Sequence, residues 1–137
     1  MTVDQDLWRY SVRLLIRHPT IDPEAISSAL SLAPSRSWRV GTPRMGPKGD
    51  PLPGVYRDTV WSWRTKREDR EFVASLREML IVLEPQSEFL DMLILSGGRV
   101  SLVLDLSGLH NTGDVLKADD LQRLARLNIE FSIEVFP

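Results

Sequence analysis

The stretch LWRYSVRLLIR, residues 7–17, decides the fold because its side chains alternate between two kinds. Every even-numbered residue from 8 to 16 is apolar or aromatic, whereas the odd-numbered ones from 9 to 17 are three arginines, a serine and a leucine. An alternation of period two is typical of a β-strand with one buried face. The chain therefore begins with a strand that packs its even face on a core and presents an arginine-rich face on the other side.

A helix start follows at once in IDPEAI, residues 21–26. Asp22 suits the N-cap, Pro23 the first helical position and Glu24 the first turn, where a carboxylate faces the positive end of the helix dipole. Farther along, periodicity predicts an edge strand at 37–40 and a strand at 56–65. It also predicts helical segments at 68–84 and 86–95 separated by Pro85, a strand at 100–106, a helix at 118–127 and a strand at 129–136.

Two apolar faces are predicted in the C-terminal part. The helix at 118–127 is expected to turn Leu121, Leu124 and Ala125 inward. The final strand is expected to turn inward its four alternating apolar residues, Ile129, Phe131, Ile133 and Val135.

The order of elements, β-α-β-β-α(α)-β-α-β, predicts an α+β fold. The economical arrangement is a ferredoxin-like split βαβ sandwich, a mostly antiparallel sheet with helices on one face, plus a C-terminal αβ addition. The 137 residues make one domain, 1–137. Within it, residues 41–58 hold four of the eight Gly and four of the nine Pro and are expected to form a long loop.

Composition excludes several classes of protein. The chain has no Cys, so disulfides, thiol catalysis and cysteine-based metal sites are excluded, and its two His are too few for a His-rich metal site. The longest apolar run, Met79–Leu83, falls far short of the roughly 20 residues that a bilayer span needs. The N-terminus does not resemble a signal peptide. We expect a cytoplasmic protein with no metal, no cofactor and no membrane contact.

Charge is distributed unevenly along the chain. The net charge is −2, yet residues 1–70 hold 12 Lys or Arg against 8 Asp or Glu, whereas residues 71–137 hold 5 against 11. Fourteen of the seventeen basic residues are arginine, which favours planar, bidentate contacts. Two interpretations remain open: the halves pair with each other across one sheet, or the basic half offers a surface to an anionic partner.

The first candidate site is a group of arginines and aromatic residues around the 41–58 loop. Arginine and tryptophan are enriched where proteins bind proteins, and a protein partner is therefore expected here. Trp61 and Trp63 are expected to be a buried cluster that anchors the loop. The candidate partner-binding residues are Arg36, Trp38, Arg39, Arg44, Tyr56, Arg57 and Arg64.

The alternative site is the outward face of the first strand, with Arg9, Arg13 and Arg17. Cross-strand ion pairs with Glu130 and Glu134 explain these arginines without a ligand. An open sheet that binds RNA or a nucleotide is the competing explanation. It needs exposed aromatic residues on the polar face, and the first strand carries its aromatics on the apolar side. Together with the acidic net charge, this makes a nucleic-acid partner unlikely.

A third possibility is a hydrolytic enzyme that uses His110, which lies near Asp105 and Asp114 in the sequence. No nucleophile motif accompanies it, so no catalytic residue is assigned. His18, at a strand end before Pro19, is expected to be structural. A homodimer is a further possibility, through a patch of residues that alternation turns outward: Leu15, Val103 and Phe136.

Short motifs in a fixed order run along the chain. They are 16–19 and 21–23 (IRHP, IDP), 36–38 with Gly41 (RSW), 53–56 (PGVY), 61–63 (WSW), 97–100 (GGRV), 111–113 (NTG), and 116–129 leading into 132–135 (SIEV). In these motifs the chain resembles the bacterial family catalogued as domain of unknown function 4279. The resemblance covers nearly the full length and implies no activity, catalytic residue or cofactor. Two positions depart from the family pattern: Lys117 stands where a capping Ser is common and Asp114 where an apolar residue is usual.

Taken together, the sequence predicts a small non-enzymatic module that binds a protein partner in an immunity-like or regulatory role. The RNA or nucleotide binder is the second hypothesis and the His110 hydrolase is the third.

Overall fold

A computed structural model describes residues 10–66, 71–107 and 113–136. Twelve elements follow one another in this part of the chain. They are β1 (Tyr10–His18), α1 (Pro23–Leu30), β2 (Arg36–Trp38), β3 (Pro43–Met45), β4 (Pro51–Val55), β5 (Thr59–Arg64), α2 (Phe72–Leu83), a 3-10 turn (Glu84–Gln86), α3 (Ser87–Leu95), β6 (Arg99–Ser107), α4 (Ala118–Arg126) and β7 (Glu130–Phe136).

Five of the strands form one mixed sheet in the order β2-β5-β1-β6-β7. The first three neighbouring pairs are antiparallel, and β7 joins β6 in parallel through the crossover helix α4. The predicted α+β class is therefore confirmed, and the C-terminal part of the described chain forms a unit of α4 and β7. β1 lies at the centre of the sheet.

The helices cover one face of this sheet. The even-numbered residues of β1 and β6 point toward them, together with Trp61 of β5, and all of these are buried except Leu106, which is partly buried. The largest fully buried side chains belong to this layer: Trp61, Leu14, Ile16, Ile26, Leu76, Leu80, Leu83, Leu90, Leu93, Leu102, Leu104 and Val12. Because side chains alternate along a strand, the odd-numbered residues of β1 and β6 lie on the opposite, open face.

Local signals for helix ends are also confirmed. Asp22 accepts a hydrogen bond from the Glu24 N–H at 3.0 Å and so caps α1. Pro85 lies in the 3-10 turn that separates α2 from α3. Asn128, just after α4, adopts a left-handed conformation with φ of 55°. Lys117 makes no side-chain hydrogen bond as the N-cap of α4, and Asp120 accepts from the Lys117 N–H at 2.9 Å.

The segment 41–58 is not the loop that its composition predicts. It contains a second, two-stranded sheet formed by β3 and β4, in which Pro43 pairs with Val55 and Met45 with Pro51. Prolines are tolerated here because both strands are edges, where a missing N–H leaves no ladder partner unsatisfied. The Gly- and Pro-rich composition therefore marks a short hairpin.

Two predicted inward faces are wrong at their C-terminal ends. Leu121 is 51% exposed and Ala125 is exposed, so α4 buries only Leu124 of the three predicted residues. Ile133 and Val135 lie on the helix side by register, yet they are 58% and 64% exposed. The reason is that β7 is an edge strand, and no described helix covers its far half.

Candidate functional site

The open face of the sheet carries five of the ten sequence-predicted site residues: Arg13, Arg17, Arg36, Trp38 and Arg64. Pairing places Arg13 beside Arg64, and it brings both Arg17 and Trp38 beside Val60. Arg36 lies beside Ser62 of the same strand β5. The predicted edge strand and the predicted sheet face therefore contribute to one continuous surface.

Part of the open face balances its own charges, and we call this part the paired half. It consists of Arg13, Arg64, Arg99, Asp105, Glu130 and Glu134. Arg13 meets both oxygens of Asp105, with Nε–Oδ2 at 3.3 Å and Nη2–Oδ1 at 3.4 Å, and it also reaches Glu134 at 3.2 Å. Arg64 contacts the same Asp105 at 3.2 Å. The Asp105 side chain is only 1% exposed, so these arginines form its cover.

A second ion pair completes the paired half. Arg99 forms a bidentate contact with Glu130 at 3.2 and 2.9 Å, and this contact lowers the pKa of Glu130 and raises that of Arg99. The sequence predicted that the arginines of the first strand pair with Glu130 and Glu134. This is confirmed for Arg13 with Glu134, but Arg17 makes no such pair among the described residues. β6 lies between β1 and β7, so Arg99 on β6 is the nearer cation.

Over β2 and β5 the open face instead forms a cavity of about 650 Å³ between the sheet and the hairpin. We call it the arginine cleft. Four arginines contribute to its wall, and Asp58 is its one carboxylate among the described residues. The lining consists of Arg17, Arg36, Trp38, Arg44, Met45, Gly46, Pro47, Val55, Tyr56, Arg57 and Asp58.

Trp38 and Tyr56 form the rigid wall of the arginine cleft. Their rings stack with centroids 4.9 Å apart and planes 16° from parallel. The Tyr56 hydroxyl accepts from the Met45 N–H at 3.0 Å and donates to the Met45 carbonyl at 3.3 Å. These contacts hold the hairpin over β2, so the aromatic pair fixes the width of the cleft.

A neighbouring cavity of about 600 Å³ continues the arginine cleft across the sheet. Both cavities are lined by Arg17, Arg36 and Trp38. Arg13 and Arg64 line the second cavity but not the first. Members of the partner-binding group and of the alternative sheet-face group thus line one groove together.

The cations of the arginine cleft are not neutralised by the described part of the chain. Arg17, Arg36 and Arg57 make no side-chain hydrogen bond or ion pair there, and Arg44 donates only to the Pro53 carbonyl at 3.4 Å. All four side chains are exposed. Such a concentration of unpaired guanidinium groups in an acidic protein favours an anionic ligand.

The remaining candidate residues lie elsewhere. Arg39 points away from the cleft and pairs with Asp22 at 3.7 Å. Trp61 lies in the core and donates from Nε1 to the Ser27 hydroxyl at 3.0 Å, and Trp63 packs against the same core. The predicted residues Arg9 and His110 lie outside the described residues.

His18 is a structural histidine, as predicted. Its Nδ1 accepts from the Thr20 N–H at 3.0 Å and from the Ile21 N–H at 2.9 Å, so Nε2 carries the proton and donates to the Ser96 hydroxyl at 2.8 Å. Burial lowers the pKa of the ring, which keeps the neutral form that these bonds require. A proton on Nδ1 would break both backbone contacts.

The predicted dimer patch is not an exposed surface. Val103 is only 3% exposed and Leu15 is half-buried on the open face, which leaves Phe136, 49% exposed, as its one open member. Among the described residues, no group of three or more His, Asp or Glu is placed to hold a metal ion. No helix in the described ranges has the length and apolar character needed to cross a bilayer.

Sequence reasoning missed two features of the site. The first is that Arg17 of β1 and Arg36 of β2 flank β5 on the same face, beside Val60 and Ser62 respectively. This depends on strand order and has no signal in either segment. The second is the role of Asp105. The alternation of side chains along β6 predicted that Asp105 lies on the outward face, but it could not show that two arginines cover the carboxylate. The signal available for Asp105 was its position between apolar neighbours in a strand.

These features define a small α+β domain with a cationic cleft on the open face of its sheet. The chain belongs to the family described as Domain of unknown function (DUF4279), whose model matches residues 8–136. Comparison with curated proteins gives no match, and comparison with solved structures gives none. The family assignment confirms the resemblance drawn from the motifs.

Proposed function

We propose that the chain is a cytoplasmic, non-enzymatic binding module that takes an anionic segment of a protein partner in the arginine cleft. The observation that carries this proposal is the set of guanidinium groups on Arg17, Arg36 and Arg57, which no described residue neutralises. Arginine is also the cation most enriched at protein-binding hot spots. An immunity-like or regulatory role fits a module of this kind.

The shape of the site supports binding of an extended segment. The arginine cleft and the neighbouring cavity meet at Arg36 and Trp38, so the groove runs across β2, β5 and β1. The stacked pair of Trp38 and Tyr56 supplies a firm wall with apolar surface, which costs little side-chain entropy on binding. A peptide strand with acidic side chains matches both the direction and the charge of this groove.

Fluorescence anisotropy with a labelled peptide of alternating glutamate and serine tests the proposal. We expect binding that weakens with added salt, because exposed charges are screened. Arg17→Ala and Arg36→Ala are each expected to weaken binding about tenfold, the loss of one charge-assisted contact. A peptide with glutamine in place of glutamate is expected not to bind.

Arg126→Ala is the matched control. Arg126 is an exposed arginine at the end of α4, on the helix side of the sheet and outside both cavities. Its removal changes the net charge as much as the cleft variants do and is expected to leave binding unchanged. If Arg126→Ala weakens binding as much as Arg36→Ala, the attraction is general and the cleft has no special part in it.

The second hypothesis, an RNA or nucleotide binder, gains support from one observation. The sequence argued against it because the polar face of β1 lacks aromatic residues, whereas Trp38 on β2 lies on that same open face beside Val60. A labelled single-stranded RNA in the same anisotropy experiment separates the two functions. RNA bound more tightly than the acidic peptide, with loss in Trp38→Ala, would favour the second.

The proposal extends to the architecture. Strands β1, β2, β5 and β6 stand in the order β2-β5-β1-β6 with all neighbours antiparallel, and α1 and α2 pack on one face. This order supports a ferredoxin-like split βαβ unit to which the hairpin and the α4-β7 unit are added. Superposition of an experimental structure on known split βαβ domains tests it.

A further inference from the structure

We infer that the anionic group held at the centre of the arginine cleft is a phosphate monoester, carried by a phosphorylated side chain of the partner segment. This inference rests on the proposed function, because it names the chemistry of the group that the same cleft receives. It is drawn from the balance of charge and of hydrogen-bonding groups in the two parts of the open face.

The first argument is charge. In the paired half, the two arginines that share Asp105 meet two carboxylates, Asp105 and Glu134, so cations and anions match. The arginine cleft sets four arginines against Asp58 alone among its described lining. One carboxylate from a partner would leave most of this excess in place. A phosphate monoester brings a charge of roughly −1.5 to −2 at neutral pH in a single group.

The second argument is the supply of acceptors. Asp105 shows what one carboxylate satisfies on this surface: its two oxygens accept one bidentate arginine and one further guanidinium nitrogen, at 3.2 to 3.4 Å. The cleft has twice as many arginines, and three of them lack any described partner. The three terminal oxygens of a phosphate accept from several guanidinium groups at once, and arginine matches this geometry in a bidentate manner.

The third argument is the kind of cation and the available space. The lining contains arginine and no lysine, although Lys48 lies in the turn that follows β3. A volume of about 650 Å³ exceeds what an isolated ion fills and lies in the range of sites for small organic groups. Tyr56 and Trp38 at the wall offer apolar contact to the side chain that bears the phosphate.

Anisotropy with three labelled peptide libraries tests the inference. The libraries share degenerate flanks and differ only at the central residue, which is phosphoserine, glutamate or serine. We expect the phosphoserine library to bind about tenfold more tightly than the glutamate library, because charge-assisted bonds to a dianion are stronger and more numerous. The serine library is expected to bind weakest.

The variants Arg36→Lys and Arg17→Lys sharpen this test. They retain the positive charge but lose the planar, bidentate donor. Each is expected to remove most of the preference for phosphoserine over glutamate while leaving glutamate binding nearly unchanged. Arg126→Lys is the matched control and is expected to leave both affinities as they are. Circular dichroism and the melting temperature verify that the variants fold.

The outcomes separate the two proposals. Equal affinity for glutamate and phosphoserine would overturn the phosphate assignment and leave the acidic-segment function standing. Binding of ATP or single-stranded RNA more tightly than any peptide would overturn both, as would no binding of any library. Competition by inorganic phosphate at the same concentration as the phosphopeptide would show that a free phosphate, and not a partner segment, is what the cleft recognises.

Discussion

Both halves of the open sheet face contain arginines, which are paired with carboxylates in one half and lack a described partner in the other. In the paired half, Arg13 and Arg64 converge on the buried carboxylate of Asp105. In the arginine cleft, Arg17 and Arg36 face solvent without a described partner, although Arg17 lies on the same strand as Arg13. All four are long side chains on β1, β5 and β2, so neither residue type nor secondary structure distinguishes them. What distinguishes them is whether a carboxylate of the sheet lies within reach.

This difference separates a structural role from a binding role. An arginine that covers a buried carboxylate stabilises the fold, since removing either partner leaves a charge without its counter-ion. An arginine with no partner contributes little to stability and remains available to a ligand. We therefore expect substitutions in the paired half to lower stability strongly and substitutions in the cleft to change it little. For ligand binding we expect the opposite: cleft substitutions weaken it and substitutions in the paired half do not.

The largest expected effect is that of Asp105→Asn. The change removes the carboxylate that two arginines share in a site only 1% exposed, so the free energy of unfolding should fall by about 3 kcal/mol. Urea denaturation measures it. Glu134→Gln is the control, because Glu134 meets the same Arg13 in solvent and should cost about 0.5 kcal/mol or less. Equal losses in the two variants would show that burial of Asp105 does not matter.

Asp120→Asn extends the comparison to a paired arginine outside the sheet. Asp120 of α4 accepts both Nε and Nη2 of Arg77 from α2 at 2.9 Å, and the bonds lower the pKa of Asp120 to about 2. Because the pKa of Asp120 in the folded protein lies below the ordinary value of 3.8, the bonds to Arg77 stabilise the fold fully above pH 3.8. Their contribution is lost as the pH falls toward 2.

We therefore expect Asp120→Asn to lower the free energy of unfolding by about 2 kcal/mol at pH 7. The difference from the unsubstituted protein should shrink steadily between pH 4 and pH 2, as denaturation followed at several pH values would reveal. A difference that stays constant over this range would contradict the account of the pair.

Tyr56→Phe tests how the cleft itself is held. The change removes the two hydroxyl contacts with Met45 and leaves the ring to stack on Trp38. We expect a loss of about 1 kcal/mol, the usual worth of such bonds. Hydrogen exchange should become faster in the hairpin 43–55 and stay unchanged in β1. Faster exchange throughout the sheet would mean that the hairpin does not move independently.

The alternation of residues 7–17 predicts β1 and the character of both of its faces, because a period of two follows directly from strand geometry. The IDPEAI signal likewise predicts α1 and its cap. The hairpin at 43–55 could not be predicted, since proline and glycine lower strand propensity and the pairing depends on Tyr56 reaching Met45. The exposure of Ile133 and Val135 depends on where the covering helix ends, and the strand's own sequence contains no information about that.

The residues that line the cleft could be predicted from the sequence, but not the fact that they form a single site. Sequence reasoning separated Arg36, Trp38 and Arg57 from Arg13 and Arg17 because they lie in different segments, and it offered a different function for each set. The strand order brings Arg17 and Trp38 to the same neighbour, Val60, and joins the sets. Strand order results from packing of the whole chain, and no local pattern contains it.

The smallest expected effect is on the stability of the cleft variants, and it is the sharpest test of the comparison. Arg17→Ala and Arg36→Ala remove exposed cations with no described counter-ion, so the free energy of unfolding should change by about 0.5 kcal/mol or less. At low salt the change should be a gain, because the remaining arginines repel one another less, and added salt should abolish it. Thermal denaturation at two ionic strengths measures both. A loss of stability comparable to that of Asp105→Asn would mean that these arginines have structural partners. They would then not be available to an anionic ligand.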